Sequence, residues 1–421
     1  MLFRRALGVD HLRARFFVTL ACILSAVSGA AAEPPPAFRQ CTSKDNDLSE
    51  RISACSTIIA SGQTSAKDRA AAYFNRAIAI GRTGDFKGAI SDLTEAINLA
   101  PDMTMAYFDR GFAYGRLSRY NSAIVDFDHV IMQRPNYAPA YNYRALSYLN
   151  LGSLDRAIFD ANAGVEADPN YPNSYATRGF AYGRECIFGR AIADLDQAIR
   201  LNPKFAAAYN YRGLIYTNTK ELDRAAADFE QAVRLGPKLT APYVNLGTLY
   251  AKRNELDRAI SYYTQAIQIN PKHAFALTMR GAAFARKGSF EQAFADFDLA
   301  IQVNDKSAVA RYSRGYAKLL QGHPDEAVVE FSQAIKIDPI YLSAFAARGL
   351  AYQKLGDRDR AKADFNAALE IPVRCGGDSW GHDVAQQGLT PSAGISADLV
   401  NGGGGESSAL PVAEDTFSDT D

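Results

Sequence analysis

A chain of 421 residues with 46 Lys and Arg against 46 Asp and Glu has a formal charge of zero, and 48% of it is apolar, ample for a large core. The charge is uneven: residues 1–32 hold four Arg and one Asp, residues 376–421 hold eight acids and no Lys or Arg, and 42 basic against 37 acidic residues lie between. So mild an excess excludes a nucleic-acid binder, which would gather its cations on one face. One Trp against 22 Tyr and 23 Phe suggests a single aromatic template copied many times.

At the start of the chain, Arg4, Arg5, Arg13 and Arg15 precede an apolar run from Phe16 to Val27, and Ala30, Ala31 and Ala32 stand before Glu33 and three prolines. This pattern predicts a secretory signal cleaved after Ala32, hence a periplasmic or secreted protein. The run falls short of the ~20 residues a spanning helix needs, so no stable membrane anchor is expected after cleavage. Export permits disulfides, and Cys41 and Cys55 are near enough to close a small loop worth roughly 3 kcal/mol. Cys186 and Cys375 are left unpaired, or paired between molecules. Between residues 33 and 69, Asp47 to Ala60 reads as a lone helix capping the front, with Ile52, Cys55, Ile58 and Ile59 on one face.

A ruler then begins. Pro101, Pro135, Pro169, Pro203, Pro237, Pro271 and Pro339 fall on one 34-residue period, and the vacant place at Asp305 follows the helix-stopping Val303-Asn304. With proline at position 32, residues 70–375 divide without a gap into nine units starting at Ala70, Thr104, Ala138, Pro172, Ala206, Thr240, Ala274, Ala308 and Leu342. Each has room for two helices, A and B. Position 8 is Gly or Ala throughout, from Ala77 to Gly349, and position 20 is always Ala, from Ala89 to Ala361. Large residues fill position 4 (Tyr73 to Phe345) and, apart from Ala161 of the third unit, position 24 (Leu93 to Phe365), so small faces large where A and B approach. Gly84, Gly152, Gly288, Gly322 and Gly356 at position 15 supply the A–B turn.

This pattern, with Tyr at position 11 in six units and Ala at position 27 in seven, closely resembles the tetratricopeptide repeat over about three quarters of the chain. The resemblance implies an all-α fold, an α-solenoid of about nine helix-turn-helix units forming a right-handed superhelix, with a concave groove lined by helix A. The eighth unit departs from the pattern: Arg311 and Lys318 replace the aromatics at positions 4 and 11. Behind the array, residues 376–389 are expected to form a capping helix, N-capped by Asp378, that lays Trp380 and Val384 over unit nine. Residues 390–421, with four consecutive glycines, read as a disordered acidic tail.

Position 7 is Arg in eight units (Arg76, Arg110, Arg144, Arg178, Arg212, Arg280, Arg314, Arg348), and position 23 is acidic in the same eight. In the sixth unit both change together, to Leu246 and Tyr262. The arginines are therefore expected to pair internally with the acid of their own or an adjoining unit, and not to form a polyanion ladder.

The groove positions implied by the resemblance give Phe108, Asn142, Tyr143, Phe180, Asn210, Tyr211, Asn245, Tyr312 and Tyr316 as candidate ligand contacts, suited to an extended peptide. The Lys, Arg and Asn set that grips a peptide carboxylate in the best-known grooves of this family is absent. Arg82, Arg116, Arg184, Lys252, Arg286 and Lys354 at position 13 would form a basic rim for an acidic ligand, the chain's own tail included, unless they serve only as solvated charge at helix ends. The five histidines are scattered, and neither a phosphate-binding glycine loop nor a Gly-x-Ser-x-Gly elbow is present. The expectation is a non-catalytic adaptor of the bacterial cell envelope, without cofactor, metal or nucleic acid, that binds a protein or peptide. The alternative is an assembly factor binding envelope polysaccharide.

Overall fold

The computed structural model describes residues 36–43, 47–373 and 379–390. The expected signal over 1–32, residues 391–421 of the expected tail, Cys375 and Asp378 lie outside them.

Among the described residues there are 21 helices and no strand. Two short ones, α1 (Pro36–Thr42) and α2 (Leu48–Ala60), lead into nine A–B pairs. The pairs are α3 (Ala66–Arg82) with α4 (Phe86–Leu99), α5 (Thr104–Arg116) with α6 (Tyr120–Gln133), and α7 (Ala138–Asn150) with α8 (Leu154–Ala167). Next come α9 (Pro172–Arg184) with α10 (Phe188–Leu201), α11 (Ala206–Asn218) with α12 (Leu222–Leu235), and α13 (Thr240–Lys252) with α14 (Leu256–Ile269). The last three are α15 (Ala274–Arg286) with α16 (Phe290–Val303), α17 (Ala308–Gln321) with α18 (Pro324–Ile337), and α19 (Leu342–Lys354) with α20 (Arg358–Glu370), after which α21 (Trp380–Leu389) packs on both. Each helix meets its successor, and each A helix also meets the next A helix, as in a solenoid.

The small-against-large pairing of A with B has a simple steric basis. A Cβ at Gly213 would lie 2.6 Å from the ring of Phe229, and one at Gly349 would lie 2.5 Å from the ring of Phe365. The ring occupies the volume a side chain would need, which is why one position stays small as the other stays large.

Two turns repeat. In the A–B turn the N–H of position 16 bonds back to the carbonyl of position 11, as from Glu221 to Tyr216 (2.8 Å) and from Asp357 to Tyr352 (2.9 Å). That closure needs a left-handed residue at position 15. The five glycines take it, but so do Ser118, Cys186, Lys220 and Asn254, at φ between 57° and 64°. In the B–A turn the side chain of position 31 accepts the N–H two residues on, as at Asn202 to Lys204 and Asn270 to Lys272. Asn304 does the same for Lys306 at 3.1 Å, so the turn at the vacant place on the ruler forms without its proline.

At the front, the Cys41–Cys55 disulfide joins α1 to α2, and both residues are buried. The sequence pattern does not signal α1, which packs as a short helix on α2 and α3. Cys186 is also disulfide-bonded, so of the two states expected of it, unpaired or paired, the unpaired thiol is overturned. At the back, Trp380 and Val384 of α21 are buried, and His382 Nε2 lies 2.8 Å from the Ile371 carbonyl, to which it donates.

Candidate functional site

The eight arginines at position 7 are fixed by the scaffold. In seven units Nε and Nη2 bond both oxygens of the position-23 aspartate of the same unit at 2.6–2.9 Å. The third donor, Nη1, reaches the preceding B helix at position 25: Arg212 bonds Asp196 at 2.6 Å, Arg178 bonds Asn162 at 2.9 Å, and Arg348 bonds Ser332 at 3.0 Å. Arg76 makes the equivalent bond to Ser56 of α2, so α2 serves unit one as a B helix. The hydrogen bond to Asp228 holds the Arg212 guanidinium well above its ordinary range. Burial works the other way at Asp126 and Asp160, whose carboxyls are pushed up despite their arginines. Through the third donor each pair ties its unit to the one before it and so fixes their register.

Unit eight does this less well. Glu330, one methylene longer than the usual Asp, accepts Arg314 Nη2 at 2.7 Å through Oε1, while Oε2 is 3.9 Å from Arg311 Nη1. Glu330 Oε2 and the Nε atoms of Arg311 and Arg314 are all buried without a hydrogen bond.

The candidate groove residues divide by place. Asn142 accepts a bond from Thr177 at 2.7 Å and Asn245 donates to Asn210 at 2.8 Å, each pair joining consecutive A helices and each residue buried. These amides spend hydrogen bonds on packing one unit against the next, which a single-unit template does not reveal. Phe180 and Tyr211 stack at 4.6 Å and are buried. Tyr312 and Tyr316 are each 1% exposed; Tyr312 meets Phe331 and Tyr341, and Tyr316 meets Trp380 of α21 edge-on at 5.8 Å.

Phe108 and Tyr143 differ, being half-buried. Their rings are 5.7 Å apart, with Phe112 at 5.4 Å from Tyr143 and Tyr137 at 5.3 Å from Phe108. Positions 5 and 6 are half-buried in units one and two (Phe74, Asn75, Phe108, Asp109) and at Tyr143, and buried in every unit from the fourth onward. The A-helix face is thus open at the front and closed at the back.

The position-13 cations also divide. Arg184 donates to the Leu149 carbonyl at 3.3 Å, and Arg286 donates to the Ala251 carbonyl at 3.1 Å and to Asn254 at 3.0 Å, so each satisfies the C-terminal end of the preceding A helix. Arg116 lies over the ring of Phe86 at 4.5 Å. Arg82, Arg116, Lys252 and Lys354 are exposed.

The residue that sequence reasoning missed is Asp109, at position 6 of unit two. It is half-buried next to Phe108 on α5, and burial pushes its carboxyl up to about 7. Its charge is felt at Tyr137, whose hydroxyl is pushed up to about 12 by burial first and by Asp109 second. The signal available in sequence was an acid at a groove position, off the ladder that pairs the other buried acids.

Among the described residues no group of three His, Cys, Asp or Glu side chains could hold a metal ion, and no helix is long and apolar enough to cross a membrane. Stacked helix pairs locked by an internal ion ladder define a helical-repeat solenoid. The chain belongs to the tetratricopeptide repeat family, which it matches over residues 108–172, 188–239, 241–273, 308–341 and 342–372. Among solved structures it is similar in fold to a chain of the Cut9–Hcn1 hetero-tetramer of the APC/C, at 14% identity and TM-score 0.54, covering 82% of this chain and 81% of that one. It is also similar to yeast Tom70 (15% identity, TM-score 0.44, 77% of this chain and 88% of that one). A third is TTC0263 of Thermus thermophilus, described as a thermophilic TPR protein (25% identity, TM-score 0.41, 43% of this chain and 98% of that one). No curated relative matches the chain.

Proposed function

We propose that the chain is a non-catalytic scaffold of the bacterial cell envelope, working in the periplasm, that holds an extended segment of a partner protein in the concave groove of its A helices. Membership of a family of interaction scaffolds supports the general role. The observation that carries the groove is the half-buried aromatic cluster of Phe108, Phe112, Tyr137 and Tyr143 on α5, α7 and the turn that leads into α7, in an array whose later A helices bury the same positions. Rings packed edge to face present broad contact area at low cost in side-chain entropy, which suits a flexible segment that must be ordered on binding.

A photo-crosslinking side chain placed at residue 108 or 143 of the exported protein tests this reading. The expected product is a crosslink to one contiguous segment of a protein, absent when the same group replaces Phe159, which is 70% exposed on helix B. Capture of glycan, or the same products from both faces, would contradict it.

A further inference from the structure

Asp109 stands apart from the other acids that the array buries. Each of the eight position-23 acids meets an arginine. Asp109 is a groove residue with no hydrogen bond or ion pair to another described residue, and burial is the sole cause of its upward shift, so no cation of the array offsets its charge. The titratable group that senses its charge is Tyr137, which also senses Arg134, whose Nη1 is directed to the Met105 sulfur at 3.8 Å. Partly removing a carboxylate from water without a partner costs free energy that folding alone would not retain. Phe108, the neighbour of Asp109 on α5, packs edge to face with Tyr137 at 5.3 Å and with Tyr143 at 5.7 Å, and Tyr137 senses the Asp109 charge. The negative faces of such rings attract a cation, and a flat guanidinium adds stacking to that attraction.

We infer that this part of the groove takes a cationic side chain, Arg or Lys, projecting from the bound segment, with Asp109 as its counter-charge and the rings of Phe108, Tyr137 and Tyr143 as its walls. The inference rests on the groove reading above and names the chemistry of its occupant. It runs opposite to the acidic ligand that the basic rim suggests, and two rim cations, Arg184 and Arg286, already serve the carbonyls of neighbouring helices. An acidic side chain at the same place would meet the Asp109 carboxylate and be rejected, so the acid selects as well as attracts.

Selection of short random peptides from a displayed library against the exported protein, and against Asp109→Asn and Asp109→Arg, tests this. Peptides selected by the wild-type protein are expected to share an Arg or Lys. One such peptide should bind Asp109→Asn about tenfold more weakly, the loss of one charge-assisted contact. Its version with Glu in place of that basic residue should bind Asp109→Arg better than it binds wild type. Unchanged circular dichroism and melting of Asp109→Asn relative to wild type at pH 3, where the wild-type carboxyl is mostly protonated in both folded and unfolded chains, keep the comparison free of folding effects. If selected peptides lose binding on Tyr143→Ala but bind Asp109→Asn as tightly as wild type, the groove reading stands and this inference falls. If no peptide depends on either residue, both fall.

Discussion

The A-helix faces of units two and three and of units eight and nine are built on the same backbone template and serve opposite ends. At the front, Phe108, Asp109 and Tyr143 stay half-buried. At the back, Tyr312, Ser313, Ala346 and Ala347 fill the equivalent positions and are buried, and Trp380 of α21 packs on Tyr316. The repeat fixes where a side chain can stand, and the particular side chain decides whether the place becomes core or contact. A solenoid can therefore vary its function along its length without altering its frame.

The largest effects should come from emptying the closed end. Tyr312→Ala removes a fully buried ring and should cost about 3 kcal/mol, whereas Phe108→Ala, half-buried, should cost clearly less while weakening ligand binding. Because each unit senses mainly its neighbours, hydrogen exchange of α17–α19 against α5–α7 is the proper readout. Equal losses at the two positions would break the contrast.

Breaking the ladder comes next. Arg212→Leu strands buried Asp228 and should cost about 3 kcal/mol, measured by chemical unfolding with exchange to localise the loss. Arg314→Leu should cost less, because its partner Glu330 is only half satisfied to begin with and keeps Arg311 at 3.9 Å.

A smaller effect follows from Asp109, which is only half-buried and so partly screened by water, and it sharpens the contrast between contact and core. Its folded carboxyl is raised to about 7, above the ~3.9 of an unfolded Asp, so the folded state holds the proton more tightly. The penalty is absent below pH ~4 and grows as pH rises towards 7. Asp109→Asn should therefore melt higher than wild type at pH 8 and equally at pH 3. No gain at pH 8 would show that the carboxylate is at no disadvantage there. The smallest change is at the A–B turn, where Lys220→Gly relieves a left-handed non-glycine residue and should stabilise by up to about 1 kcal/mol.

How much of this was legible in the sequence follows from what a period encodes. The nine helix pairs, the small-against-large packing of A on B and the Arg–Asp pairing could all be read because copies within one chain vary in concert, most plainly where Leu246 and Tyr262 replace both charges of unit six. Contacts between units were harder to read. The third arginine donor bonds a position-25 column that varies among Ser, Thr, Asn and Asp, and the Asn142–Thr177 and Asn210–Asn245 bonds pair different positions of successive units. Left-handed geometry at Ser118, Cys186, Lys220 and Asn254 was hidden because backbone closure imposes it whatever the residue. Asp109 passed unnoticed because only its burial and the absence of a basic partner distinguish it from an ordinary surface acid.

The central claim is that the front of the A-helix face receives the ligand and the back does not. Hydrogen exchange of the protein, free and saturated with a peptide selected on it, tests this most directly. Protection confined to α5, α7 and the turn holding Tyr137 is the predicted result, and protection centred on α17–α19 or on the B helices would contradict it.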